Sequence, residues 1–257
     1  MLKLKINESE NIPVSPQYLE QALFETILVR EGQPVFLSRH LNRMATGLMF
    51  MKMDELPSLL SIREAIIECL SMTGTVEGGI KLMAIGQLLH VLPRTVVQAP
   101  ETIAIGISET VIRDANSSLA GIKTVQRVWS DALRAEALRM NVHDCIALNS
   151  EGNLTEGGRT NLFLVQNERL VTPPLHDSCL PGVTRSIVLE MDNTAEVQLS
   201  REDLVQCEAA FLTSALIGAV PIAQVIGIGK KDPHHPLIQG VQAEIARAIR
   251  EDLNLLS

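Results

Sequence analysis

The stretch from Ala209 to Gly229 carries no charged residue, and it separates two very different kinds of molecule. A membrane span needs roughly 20 apolar residues in a row, with every backbone group satisfied inside one helix. Here Thr213-Ser214 falls near the middle, and Pro221 and Gln224 interrupt the second half. The pattern predicts two buried β-strands joined by a turn, and so a chain that folds around sheet rather than lipid. Its 257 residues, 46% hydrophobic and 20% charged, have the proportions of a globular protein with a substantial core.

A formal net charge of −8 argues against a general nucleic-acid binder, which needs Lys and Arg in excess to neutralise phosphates. A small anionic substrate stays compatible, because a few local arginines can reverse the field inside a cleft. Cys69, Cys145, Cys179 and Cys207 are scattered and form no C-x-x-C pair, which suits free thiols in a reducing cytosol and no metal site. The start, Met1 to Ile6, turns polar at Asn7-Glu-Ser-Glu10 before the apolar core of a leader forms, so a cytoplasmic location is expected.

Along the chain, Phe24 to Val29 reads as a strand, Glu31 to Pro34 as a turn, and Val35-Phe36-Leu37 as the returning strand of a hairpin. Ser38 is the expected N-cap of a following helix, and Leu56 to Ser71 has helical spacing. Ile80 to Leu92 and Thr102 to Ser108 read as strands, and Asp114 to Ala120 as a linker. A helix is expected directly after Lys123, running to Met140 with Val125, Val128, Trp129, Ala132, Leu133 and Leu138 as its apolar positions. Short strands follow at Cys145–Asn149, Leu162–Val165 and Arg169–Thr172. Helices are expected at Val183–Met191 and Ile238–Leu256. The whole predicts an α+β chain of two domains, residues 1–116 and 117–257.

Three segments of the second half are unusual for plain scaffold. They are Gly121-Ile-Lys123-Thr-Val-Gln-Arg127, then Asn153-Leu-Thr-Glu156 leading through Gly157-Gly158 into a strand, and Leu180-Pro-Gly-Val-Thr-Arg185 opening a helix. Taken singly, each has a bland explanation: a solvated lysine, a turn acid, a helix start. Together they supply a nucleophilic amine, a carboxylate and backbone N–H groups suited to an anion.

In these segments the chain resembles the class IV aminotransferase superfamily, the fold-type IV pyridoxal phosphate enzymes. The resemblance is carried by FETILVREGQPVFLSRHLNRM (24–44), GIKTVQR (121–127), Glu136-Ala137, LTEGGRTNLFLV (154–165), TPPL (172–175), LPGVTR (180–185) and TSALIGAVPI (213–222). It implies a D-amino acid aminotransferase-like fold, with a small N-terminal α/β domain, a larger β-barrel-like C-terminal domain with helices, and the active site between them. It also implies a homodimer, pyridoxal 5′-phosphate as cofactor, and a small amino substrate bearing a carboxylate.

By the same resemblance, Lys123 holds the cofactor covalently and moves the substrate proton, while Glu156 pairs with the pyridine nitrogen. Arg43 grips the phosphate, opposite the backbone N–H groups of Val183 and Thr184. Ser214 and Ala215 form a second phosphate loop, with alanine where the family usually has a hydroxyl one or two places further on. His40 and Arg185 are read as structural.

Lys123-Thr-Val-Gln-Arg127 and Ser214-Ala-Leu216 lean toward the 4-amino-4-deoxychorismate lyases, which release pyruvate and form 4-aminobenzoate for folate synthesis. A branched-chain or D-amino acid aminotransferase is the alternative, and a non-catalytic cofactor-binding relative a second. The Arg-Gly-rich loop that many members use for the substrate carboxylate is missing, and Gly86 to Arg94 stands in its place. Arg159, where the family tends to have a small residue, or Arg127 is the candidate replacement cation.

Overall fold

The computed structural model describes residues 1–9, 21–114 and 116–255. The start of the expected Leu56–Ser71 helix shifts to Leu59, and the end of the last expected helix, Leu256, lies outside the described residues. The chain folds as two compact units. One comprises Met1–Val97, Ile122–Gln126 and Ile249–Ser257, and the other Gln98–Gly121 and Arg127–Ala248.

The first unit is built on a five-stranded sheet: β1 (Lys3–Ile6), β2 (Leu23–Arg30), β3 (Gln33–Pro34), β4 (Gly78–Ile85) and β5 (Leu88–Arg94), in the order β1-β5-β4-β2-β3. Helices α1 (Leu37–Phe50) and α2 (Leu59–Thr73) bury Leu41, Met44, Leu48, Ile62 and Ile66 in a core shared with Ile27, Ile80, Leu82 and Val91 of the sheet. Each such side chain taken from water contributes about 1.5–3 kcal/mol, so this helix-on-sheet layer holds the unit together.

Two local expectations are corrected here. The returning hairpin strand is only Gln33–Pro34, because Glu31 and Gly32 (φ 52° and 68°) make a tight turn and the chain then enters α1. Val35-Phe36-Leu37 therefore does not extend the hairpin. The N-cap is Phe36 in the left-handed region, not Ser38, which sits inside the helix; Phe36 N–H donates instead to Asp252 Oδ2 at 2.6 Å.

The second unit contains β6 (Ile103–Arg113), α3 (Val128–Met140), β7 (Asp144–Asn149), β8 (Leu154–Gly157), β9 (Asn161–Gln166), β10 (Arg169–Thr172), α4 (Val183–Leu189), β11 (Thr194–Glu196), α5 (Arg201–Gln206), β12 (Ala209–Ser214), β13 (Gly218–Val225) and β14 (Gly229–Lys230). The remaining helix, α6 (Pro236–Asn254), has residues in both units. The strand order β9-β12-β13-β6-β7-β8 returns to β9 through the pair Glu156↔Asn161, so the sheet closes on itself as a barrel. Strand β6, within the stretch 1–116, pairs with β13 and β7 of this barrel. The uncharged run is β12 and β13, antiparallel around a turn, with Phe211 stacked on Phe163 at 5.0 Å between centroids. Among the described residues no helix is long and apolar enough to cross a membrane.

The helix after Lys123 starts later than its apolar spacing suggests, at Val128. Residues 123–126 are drawn out instead: Phe24 N–H donates to Lys123 O at 3.0 Å, and Val125 N–H to Ala22 O at 2.7 Å. Satisfying those backbone groups against β2 competes successfully with another helical turn. Helix α3 also buries a different face, with Ser130, Leu133, Glu136 and Ala137 inside and Val128 and Leu138 exposed. Two of its buried polar side chains make hydrogen bonds. Ser130 Oγ donates to Gly158 O at 2.5 Å, and Thr110 Oγ1 bonds to Glu136.

Candidate active site

Lys123 is anchored by the backbone bonds to β2 just described and an antiparallel bridge between Leu23 and Thr124. Its side chain is half-buried, with Nζ 4.8 Å from the ring centroid of Phe24. Lys81, on β4, brings a second ammonium to 5.1 Å from the same centroid.

The next residue on β2 is Glu25, which has no exposed surface. His40 and Arg43 are three apart on α1, so both reach one neighbour on the sheet. Arg43 takes the carboxylate side-on, Nε to Oε1 at 2.7 Å and Nη2 to Oε2 at 2.5 Å, while His40 Nδ1 lies 2.7 Å from Oε2. Burial alone would raise the Glu25 carboxyl, but the charge of Arg43 and the bonds from His40 and Arg43 outweigh it and hold the pKa at about 2. Burial lowers the His40 pKa against the pull of Glu25, with Arg43 and Lys123 adding to the lowering. The imidazole is therefore neutral, and its Nδ1–H donates to the ionised carboxylate. This agrees with the structural reading of His40. Arg185 is buried too, and Nη2 bonds to Pro173 O at 2.9 Å and Glu196 Oε1 at 2.5 Å.

Glu156 stands in the second unit, at the seam that closes the barrel. Its Oε2 accepts from Asn161 Nδ2 at 3.0 Å and from Leu180 N–H at 2.9 Å, and Arg113 Nη2 lies 3.5 Å from Oε1. The turn after it admits only glycine. A Cβ on Gly157 would fall 2.4 Å from both Asp144 Oδ2 and Thr160 Oγ1. Asp144 braces the same turn, accepting from Gly158 N–H at 2.9 Å and Thr160 Oγ1 at 2.8 Å. A Cβ on Gly182 would fall 2.0 Å from Asn161 Oδ1, so Glu156, Asn161 and the start of α4 form one packed cluster.

Arg113 and Trp129 were not singled out from the sequence. The guanidinium carbon of Arg113 sits 3.4 Å from the centroid of Trp129, the chain's single tryptophan, and that of Arg127 is 5.7 Å away. Burial works against the charge on both arginines, while Glu156 supports it. Arg159, which is exposed, is close enough to Arg127 to oppose its charge further. Arg113 and Arg127 thus lie near Glu156, and Arg159 near Arg127. Their usable signals were the lone tryptophan and the charged end of a strand.

Val183 and Thr184 open α4, buried against β12, whose last residue Ser214 precedes Ala215 in the turn. Thr213 opens the Thr213-Ser214-Ala215-Leu216 stretch that the resemblance matches to the second phosphate loop. Its hydroxyl is wholly buried at the end of β12 and has no hydrogen-bond partner among the described residues. The structure thus brings Glu156, Arg127 and Arg159 together in the second unit, with Val183, Thr184 and Ser214 on packed elements there. Lys123 and Arg43 belong to the first, where both act on His40. The β4–β5 connection is a tight turn at Gly86-Gln87.

The donor set suits pyridoxal 5′-phosphate. Arg113 Nη1, beside Glu156, is a buried cationic donor without a hydrogen-bond partner among the described residues, and Thr213 Oγ1 is a second orphaned donor. Such groups are costly unless a ligand satisfies them.

Residues 22–225 match the family model described as amino-transferase class IV. The branched-chain-amino-acid aminotransferase of Escherichia coli is 33% identical over 99 residues, 37% of this chain and 32% of that enzyme. The match thus spans about a third of the length of that curated relative. Among solved structures, a candidate 4-amino-4-deoxychorismate lyase from Legionella pneumophila superposes with a TM-score of 0.82 at 23% identity, covering 95% of this chain and 99% of that one. A hypothetical aminotransferase from Mycobacterium tuberculosis, in its pyridoxal-phosphate-bound form, superposes at 0.75 and 22% identity over 90% and 89%. These likenesses establish the fold-type IV architecture. With a family model matching across both units, the chain belongs to the class IV aminotransferases, enzymes that depend on pyridoxal 5′-phosphate.

Proposed function

We propose that this chain is a pyridoxal-phosphate-dependent lyase acting on 4-amino-4-deoxychorismate, yielding 4-aminobenzoate and pyruvate. The observation that carries the reading is the placement of Arg113 and Arg127 beside Glu156, with Arg159 close to Arg127. Guanidinium groups gathered in one place complement a substrate bearing two carboxylates better than a branched-chain amino acid. The superposition with the Legionella pneumophila protein over nearly its whole length agrees with this choice.

In this reading Lys123 would hold the cofactor through its amine and would take the ring proton beside the substrate nitrogen. Its side chain lies half-buried against Phe24, with Lys81 near the same ring. Glu156 holds a proton on the pyridine nitrogen, and Asn161 and Leu180 keep its carboxylate aimed. Arg43, Val183, Thr184, Ser214 and Ala215 hold the phosphate. Arg127 and Arg159 hold substrate carboxylates in place of the absent loop. When bound, the cofactor supplies an electron sink for the bond broken next to the substrate amine.

The second reading, a branched-chain aminotransferase, is favoured by the identity with the Escherichia coli enzyme. One experiment separates them. The holoenzyme is given 4-amino-4-deoxychorismate in one assay, and leucine with a keto-acid acceptor in another. Equimolar pyruvate and 4-aminobenzoate from the first, with no amino transfer in the second, is the expected result. Transfer from leucine without pyruvate release would overturn it, and a protein that binds the cofactor yet turns over neither would be a non-catalytic relative.

A further inference from the structure

We propose that Glu25 is the positioning residue of the phosphate grip: its buried carboxylate fixes the plane and direction of the Arg43 guanidinium that holds the phosphate ester. The inference rests on the reading of Arg43 as a phosphate ligand and adds a residue to which no role has been assigned.

The geometry is that of a mount. Glu25 has both oxygens engaged, Oε1 by Arg43 Nε and Oε2 by Arg43 Nη2 and His40 Nδ1, and is wholly buried in β2. A guanidinium is flat and rigid, so gripping it along one side sets the orientation of the whole group. A long side chain otherwise loses about 2 kcal/mol of rotamer freedom when it is ordered, and here that ordering accompanies folding instead of ligand binding. His40 completes the mount as a neutral donor, linking α1 to β2 without adding a charge. The arrangement has a counter-intuitive side. Glu25 is itself an anion beside the proposed phosphate ligand, so by Coulomb's law alone its removal tightens phosphate binding, whereas as a positioning residue its removal weakens it.

That opposition gives the test. Full-length protein stripped of cofactor is titrated with pyridoxal 5′-phosphate and with pyridoxal, which lacks the phosphate, and the ratio of the two affinities is measured. Glu25→Gln is expected to lower the ratio about tenfold, a change of about 1.4 kcal/mol, by weakening the phosphorylated ligand alone. Arg43→Ala is expected to lower it at least as far, and the double variant no further than Arg43→Ala, because the two act through one contact. An unchanged or raised ratio in Glu25→Gln, with a lowered ratio in Arg43→Ala, makes Glu25 merely structural and leaves the Arg43 reading standing. An unchanged ratio in Arg43→Ala overturns both. Should Glu25→Gln fail to fold, Arg43→Lys keeps the charge but loses the side-on pair. A full wild-type ratio in that variant likewise overturns the mount.

Discussion

Glu25 and Glu156 are both carboxylates buried in strands beside an arginine, yet they are held in opposite ways. Glu25 is bound side-on by Arg43 and capped by His40, every contact at 2.7 Å or less. Glu156 is held on one oxygen by two neutral donors, at 2.9 and 3.0 Å, and approached on the other by Arg113 at 3.5 Å. The first charge is neutralised inside the protein, in a closed pair suited to fixing a partner in space. The second is steered by amide groups, with Arg113 at 3.5 Å and the charge of Arg127 also near. The same side chain is thus a bracket in one unit and, as proposed, a ligand contact in the other.

The largest effect that can break this comparison is on stability. Glu25→Ala strands Arg43 without its carboxylate in a mostly buried position and is expected to cost about 3–5 kcal/mol in urea unfolding. Glu156→Gln keeps a side-chain oxygen for Asn161 and Leu180 and is expected to cost only about 1 kcal/mol while abolishing turnover. If the two substitutions destabilise equally, the distinction between bracket and contact fails.

Acid titration sharpens the same point. Glu25 has a pKa of about 2 in the folded protein against 4.5 ordinarily, so the unfolded chain binds its proton first as pH falls. Its contribution, about 3 kcal/mol by linkage, is fully present above the ordinary value and is lost as pH falls through the folded one. His40 acts in the same direction from a higher pH: held neutral by burial, it resists a proton that the unfolded chain accepts below 6.5. Wild-type unfolding free energy should therefore fall more steeply than that of Glu25→Gln between pH 4.5 and 2. Parallel curves would show that the pair does not hold the carboxyl ionised.

Much of this was legible in the sequence where the signal is local. The uncharged run reads as two strands because a proline, a glutamine and two hydroxyls interrupt it, and the turn after Glu156 reads as special because of its paired glycines. The hidden parts depend on tertiary geometry. The barrel closes through Glu156↔Asn161, a pairing that no periodicity announces. Lys123 looks like the start of a helix because apolar residues follow at helical spacing, but backbone bonds to β2 draw the chain out. Glu25 lies 18 residues from Arg43, and Arg113 meets Glu156 from a distant strand, so neither pair forms a local motif.

A smaller effect is expected at Trp129. Trp129→Leu removes the aromatic face under Arg113 and is expected to cost about 1–2 kcal/mol in urea unfolding, as a desolvated cation–π contact does. It should also lower turnover more than it weakens cofactor binding, since Arg113 approaches Glu156 and not the phosphate elements. A loss confined to cofactor affinity would place Arg113 in the phosphate grip and erase its difference from Arg43.

Arg159→Ala has the smallest expected effect on folding and the sharpest on specificity. The side chain is exposed and its backbone N–H reaches Asp144 only at 3.4 Å, so stability should change by no more than about 0.5 kcal/mol. If Arg159 holds a substrate carboxylate, kcat/KM for 4-amino-4-deoxychorismate should fall about tenfold or more, the scale of one charge-assisted hydrogen bond, mainly through KM. Added salt should narrow the gap between variant and wild type, because an exposed guanidinium is screened within a Debye length of about 8–10 Å. Arg127, being more buried, should give a salt-insensitive loss in the same assay. Equal salt responses would mean that the two arginines share one environment, and unchanged kcat/KM in Arg159→Ala would leave Arg127 to bind the carboxylate without it.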